Sequence, residues 1–229
     1  MTEPKTIVIC GWNVHGQRLV DDLQQIEPPV EIVIVSEGEA PSVVDDSGSE
    51  HGLRWMNAPP TSNAVLETLS LDEAQAVVVL ATSLDTTAAE GVDARSILTV
   101  LSVRALSKRC HIIVELLDEE NLSLAKAADV DEVLLNNRYA GVMLSQAIQS
   151  IGLGDFFGDL FRSGAGAALR EVAVAETLVG SRFSEAMLEA PALKTGALVG
   201  VRRGEEFHIP PRENLVLRAE DRLLVIRSG

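Results

Sequence analysis

Thr6-Ile-Val-Ile-Cys-Gly-Trp-Asn-Val-His-Gly-Gln-Arg-Leu-Val20 is the stretch whose reading decides the fold. Ile7 to Cys10 is a short apolar run of the kind that forms a buried strand. It enters a glycine-bounded turn and then a helix, signalled by Leu19, Val20, Leu23 and Ile26 on one face. A strand that feeds a glycine turn opening a helix aims free backbone N–H groups above the sheet, where an anion can sit. The dinucleotide fingerprint G-x-G-x-x-G is met in part: Gly11 and Gly16 are present, and Asn13 stands in place of the second glycine. Asn tolerates a left-handed backbone, so the turn survives the change, but its side chain intrudes on the phosphate position. Two readings stand side by side, a nucleotide site and a plain first strand-to-helix turn that binds nothing.

The same pattern continues outward. Glu31–Val35 reads as a second buried strand, ending in Ser36-Glu37-Gly38. A dinucleotide fold sets an acidic residue at this end to hold the ribose; Ser36 occupies the slot and Glu37 follows it. A polar loop spans Ala40–Glu50. Leu53–Met56 is a weak strand and Asn63–Leu69 a helix. Ala76–Ala81 is a clear buried strand whose end carries Thr82, Ser83 and Asp85 at the edge where ligands collect in open α/β sheets. Next come a helix over Ala94–Leu106, with Ile97, Leu98, Leu101 and Ala105 on one side, and a strand over His111–Val114. A helix over Asn121–Ala128 and a strand over Glu132–Leu135 follow. This alternation predicts an α/β fold with a doubly wound parallel sheet covered on both faces.

The alternation then stops. Ala140–Ile151 is a helix with Leu144, Ala147, Ile148 and Ile151 on one stripe. A second short helix, Asp155–Phe161, follows the break at Gly152-Leu-Gly154 and carries Phe156, Phe157, Leu160 and Phe161. So apolar a helix–turn–helix after a finished sheet suits an interface with a second copy; packing beneath the chain's own C-terminal part is the alternative. Ser163-Gly-Ala-Gly166 reads as a linker. Beyond it lie a strand at Leu169–Ala175, a helix at Phe183–Glu189 and a hairpin of Ala197–Val201 with Glu205–Ile209. Strands at Leu215–Leu217 and Leu223–Ile226 complete a small α+β lobe. The expected division is 1–139, 140–163 and 164–229.

Bulk properties limit the function. The 229 residues are 46% hydrophobic with only 3% aromatic, which gives an aliphatic core. The net charge of −15 argues against a nucleic-acid partner, whose phosphates need a basic surface. Residues from Gly164 onward carry equal numbers of basic and acidic side chains, so the whole −15 lies in the first 163. Such asymmetry suggests two units with different tasks, and an acidic lobe that attracts cations or simply stays soluble. No run reaches the length of a membrane span and no leader is evident, and Cys10 and Cys110 make no disulfide framework. The expectation is a cytoplasmic protein with no direct membrane insertion. Catalysis finds no support: His15, His51, His111 and His208 share no metal-binding spacing, no G-x-S-x-G elbow occurs, and position 143, four beyond the sole tyrosine Tyr139, is Met.

The order of these elements resembles a regulator-of-K+-conductance (RCK) unit: a TrkA-type N-terminal Rossmann-like lobe, a crossover helical hairpin and a TrkA-type C-terminal lobe. The residues that carry the likeness are Ile7 to Gly16, Ile112-Ile-Val-Glu-Leu-Leu-Asp-Glu-Glu-Asn121 and Ala128-Asp-Val-Asp-Glu-Val133. Asn137-Arg-Tyr-Ala-Gly141 and the ending Ile209 to Ile226 add to it. Gly11-Trp12-Asn13 and Asp93-Ala-Arg-Ser-Ile-Leu98 look most like the Castor/Pollux-type channel branch. The resemblance implies a cytosolic gating-ring subunit that dimerises through Leu144, Ile148, Ile151, Phe156, Phe157, Leu160 and Phe161. It also implies a higher ring such as an octamer, under a membrane pore in the same or a separate chain. Members of the family bind NAD(H), adenine nucleotides or Ca2+. For a nucleotide the matching residues are Gly11, Trp12, Asn13, Gly16, Glu37, Thr82 and Ser83. For Ca2+, Glu115 matches an acidic position, Leu117 departs from a second, and Asp85, Asp93 and Asp118 are the substitutes, each also explicable as a helix cap.

Overall fold

The computed structural model describes residues 5–25, 28–44, 52–136, 138–150, 152–160, 167–189, 197–209 and 215–228. They divide into two compact units, Met1–Val142 and Met143–Gly229, with the boundary inside a helix.

In the first unit β1 (Thr6–Cys10), β2 (Glu31–Ser36), β3 (Leu53–Asn57), β4 (Ala76–Val79), β5 (Ile112–Leu116) and β6 (Glu132–Leu135) form one parallel sheet in the order β3-β2-β1-β4-β5-β6. The chain reverses its direction of travel across the sheet between β1 and β4. That places a topological switch point, with its crevice, above the carboxyl ends of these two strands. Strands buried on both faces read as unbroken apolar runs, and Val8, Ile9, Cys10, Ile34 and Val35 are wholly out of water.

Side chains of alternating direction feed two cores. On one face Val8, Val33, Val77, Val79, Ile112 and Val114 pack with α2 (Asn63–Leu66), α3 (Ala89–Leu106) and α4 (Leu122–Ala127). On the other, Ile7, Ile9, Ile32, Ile34 and Leu53 pack with Val20 of α1 (Val14–Leu23). Burying side chains of this size contributes about 1.5–3 kcal/mol each.

The α3 helix departs from expectation in two respects. It begins at Ala89, five residues before the predicted start, and its apolar stripe faces outward: Leu98 is 55% and Leu101 47% exposed. Ala105 is exposed as well, and of the four expected stripe residues only Ile97 packs against the core. The buried face instead carries Asp93, Ser96, Thr99 and Arg104 among Val92, Val100 and Val103. Polar side chains can occupy an inward face when they are hydrogen-bonded. Arg104 donates to Asp129 O, Cys110 O and Asp131 Oδ2, and Thr99 Oγ1 to Arg95 O. Hydropathy counting therefore chose the wrong side of α3. Strand β4 stops at Val79, two residues short of the predicted end.

α5 (Arg138–Gln149) crosses the boundary between the units, and α6 (Leu153–Leu160) belongs to the second. The second unit has an antiparallel sheet, order β7-β10-β8-β9, built from β7 (Ala167–Ala173), β8 (Ala197–Arg203), β9 (Glu206–His208) and β10 (Arg222–Ser228). Its core joins Val174, Leu178, Leu198, Val201, Leu217, Leu223 and Val225 to Phe183 and Ala186 of α7 (Phe183–Glu189). Leu215–Leu217 is not a strand; Val216 makes a single bridge to Arg182. A Rossmann-like parallel sheet followed by a small α+β lobe is thus the architecture.

Candidate functional site at the sheet edge

The turn after β1 requires its glycines for reasons of packing. Gly11 has φ +87°, and a Cβ there would lie 2.6 Å from Leu80 O; a Cβ on Gly16 would lie 2.8 Å from the Trp12 ring and 3.0 Å from Leu80 Cδ1. Distances this short are excluded by van der Waals repulsion, and the first residue also needs a left-handed backbone. Both fingerprint glycines are accounted for by the fold itself.

Asn13 is the N-cap of α1. Its Oδ1 accepts from His15 N at 2.8 Å and from Gly16 N at 3.3 Å, satisfying donors that a helix start leaves free. Its Nδ2 donates to Ala81 O at 2.8 Å and to Glu115 Oε2 at 2.7 Å. Glu115, at the end of β5, is 7% exposed. It also accepts from Ala81 N at 3.1 Å, and its Oε1 lies 2.6 Å from His15 Nδ1. An ionised carboxylate only accepts, so Nδ1 carries the hydrogen. One carboxylate thereby ties together the turn after β1, the end of β4 and the end of β5. Gly11 N is engaged as well, donating to Val35 O at 2.8 Å.

The other expected ligand residues lie around this knot. Ser36 is buried and accepts from Trp55 Nε1, whereas Glu37 is half exposed and paired with Arg95 of α3, Nη2 to Oε2 at 2.9 Å. Thr82 is exposed, and Ser83 Oγ accepts from Asp85 N. Asp85 accepts from Thr87 N and Thr87 Oγ1, and the hydroxyl bond holds its carboxyl below the ordinary value. Asp93, fully buried, accepts from Leu117 N, Asp118 N and Asn121 Nδ2, which fastens α3 to the turn after β5. Asp118 caps the short turn Glu119–Asn121 through Glu120 N.

The edge thus gathers Gly11, Trp12, Asn13, Gly16 and Glu115, while Asp85 serves the turn after β4 and Asp93 and Asp118 both serve the turn after β5. Among the described residues no three metal-ligating side chains form a group that could hold a metal ion. As arranged, the four acids do not fit a Ca2+ cage, which takes about six to eight oxygens. Nor do the residues fit a dinucleotide, because Asn13 already occupies the two α1 amides. His15 and Arg95 escaped the sequence reading. His15 lies inside the decisive stretch but was weighed only for metal spacing, and nothing local marks Arg95 as the partner of Glu37.

Of the hairpin residues, Leu144 is 69% and Ile148 85% exposed, and Phe156 is exposed on α6. Phe157 and Leu160 belong to α6; Ile151 and Phe161 lie outside the described residues. Every side chain described along α5 is exposed.

Comparison with known proteins identifies the class. The TrkA-N domain family matches residues 7–136, and the chain belongs to it. It is 28% identical over 150 residues to the calcium-gated potassium channel TvoK of Thermoplasma volcanium, covering 65% of this chain and 41% of TvoK. It is 27% identical over 238 residues to the probable ion channel POLLUX of Oryza sativa subsp. japonica, covering 98% of this chain and 24% of POLLUX. This bears out the likeness to the Castor/Pollux type. The human SLO3 gating ring has the same fold, with a TM-score of 0.74 at 16% identity over 98% of this chain and 44% of that one. The chain spans less than half the length of these relatives. Among the described residues no helix is long and apolar enough to cross a membrane.

Proposed function

We propose that the chain is a cytoplasmic regulatory unit of a cation channel or transporter, organised as an N-lobe (1–139), a crossover hairpin (140–163) and a C-lobe (164–229). It is a sensor rather than an enzyme. Its pore is supplied by the same or a separate chain, and its copies associate through α5 and α6 into a dimer and then a ring such as an octamer. The observation that carries this reading is the apolar stripe of α5, where Leu144 and Ile148, one turn apart, stand in water, on a chain of this family. Contiguous exposed apolar residues mark interaction surfaces.

The signal enters at Glu115. Whatever recruits its carboxylate withdraws an acceptor from Asn13, Ala81 and His15 together, so three strand ends respond as one. A cation suits this position better than a phosphate, since the group to be recruited is an anion in the acidic part of the chain.

Ile148→Glu combined with Leu144→Glu tests the assembly. Light scattering after size exclusion should give a dimer or larger for the parent chain and a monomer for the variant. A parent that is monomeric at high concentration, or an unchanged mass in the variant, refutes the reading.

A further inference from the structure

The strand–turn–helix of β1 and α1 has the form that holds a dinucleotide, but the groups that would hold its pyrophosphate and its ribose are already engaged. The helix amides of His15 and Gly16 are taken by Asn13 Oδ1. The acidic side chain after β2, Glu37, is taken by Arg95, whose guanidinium reaches across from α3. A small pocket at the carboxyl ends of β1 and β4, lined by Gly11, Pro60, Thr82, Arg95, Ser96 and Thr99, has a volume of about 10 Å³. That is room for about one water. Ser96 Oγ, buried on this wall with no partner in the protein, is the polar group such a water would serve.

Charge points the same way. The carboxylate of Glu115 lies 2.7 Å from Asn13 Nδ2 and accepts Ala81 N, so an anion already sits beside the α1 amides. A second anion in that place meets like-charge repulsion from this carboxylate. The glycines, which would otherwise argue for a nucleotide, are needed for contact with Leu80 and Trp12.

We infer that the dinucleotide position at the sheet edge is filled by the chain's own side chains, Asn13 on the helix amides with Glu115 beside them. Asn13 is thus the residue that sets ligand class at this edge, refusing NAD(H) and adenine nucleotides. This narrows the proposed sensor without depending on its assembly.

The test is titration of the whole chain with NAD+ and with ADP, followed by calorimetry and thermal shift. The parent chain should show no binding up to about 1 mM. Asn13→Gly frees the two amides and keeps an acceptable N-cap residue, and Glu115→Gln removes the charge while keeping an acceptor for Ala81 N. The double variant should bind ADP at least about tenfold more tightly than the parent, with Asn13→Gly alone intermediate. Submillimolar binding by the parent overturns the inference. So does a folded double variant, or a folded Asn13→Gly should the double variant not fold, that gains nothing. The mass of each sample, measured alongside, reports separately on the assembly.

Discussion

Glu115 and Asp221 are carboxylates almost without access to water, one in each unit, and their partners differ in kind. Asp221 is fully buried and held by both nitrogens of the Arg203 fork at 2.7 Å, with Arg218 N as a third donor. Arg203 also donates to Val216 O, which pins the segment before β10 to β8. Glu115 has two neutral donors, Asn13 Nδ2 and Ala81 N, and an imidazole that is 46% exposed. A guanidinium is charged at every accessible pH, whereas an amide N–H carries no net charge. The first arrangement is a permanent pin. The second holds a carboxylate with little fixed compensation.

The largest expected effect is at the pin. Asp221→Ala leaves Arg203 with Val216 O alone and should cost about 1.5–3 kcal/mol of stability in the second unit. Urea unfolding, followed by a probe in that unit, would show it. A loss equal to that of an exposed pair would erase the distinction drawn above.

Acid should act on the same bond. The Arg203 hydrogen bonds hold the Asp221 carboxyl below the ordinary range, so its folded value lies beneath the unfolded value of about 3.9. Its stabilisation is therefore complete above the unfolded value and fades as the pH falls through the depressed one. Stability measured from about pH 6 down to about pH 2 should fall more shallowly in Asp221→Ala than in the parent.

The smallest effect belongs to His15. Its ring is half in water, so His15→Ala should cost less than about 1 kcal/mol. A thermal melt showing a much larger loss would make the sheet edge as rigid as the C-terminal pin.

Much of the fold was legible because parallel strands buried on both faces leave unbroken runs such as Ile32–Val35 and Val77–Val79, and turns leave glycines. The helix α3 was not, since its inward Asp93 and Thr99 look like a solvent face until their partners are known. At the site, Gly11, Asn13, Gly16 and Glu115 could be picked out singly. What could not be read was that Asn13 and Glu115, 102 residues apart, are bonded to each other. Hydrogen bonding across strand ends follows from sheet order, which a linear pattern does not encode. The same holds for Glu37 and Arg95, 58 residues apart.

The bare flank of α5 has a thermodynamic corollary. A helix of 12 residues, cut off from tertiary packing, is marginal in water, since nucleation costs more than so few turns return. Gly141 in its second turn and the β-branched Val142 lower its intrinsic propensity further. Under the proposed association, whatever covers that flank supplies the missing order, so that coiling of Arg138–Gln149 and its docking form one equilibrium. The midpoint of that equilibrium moves with the concentration of the covering partner.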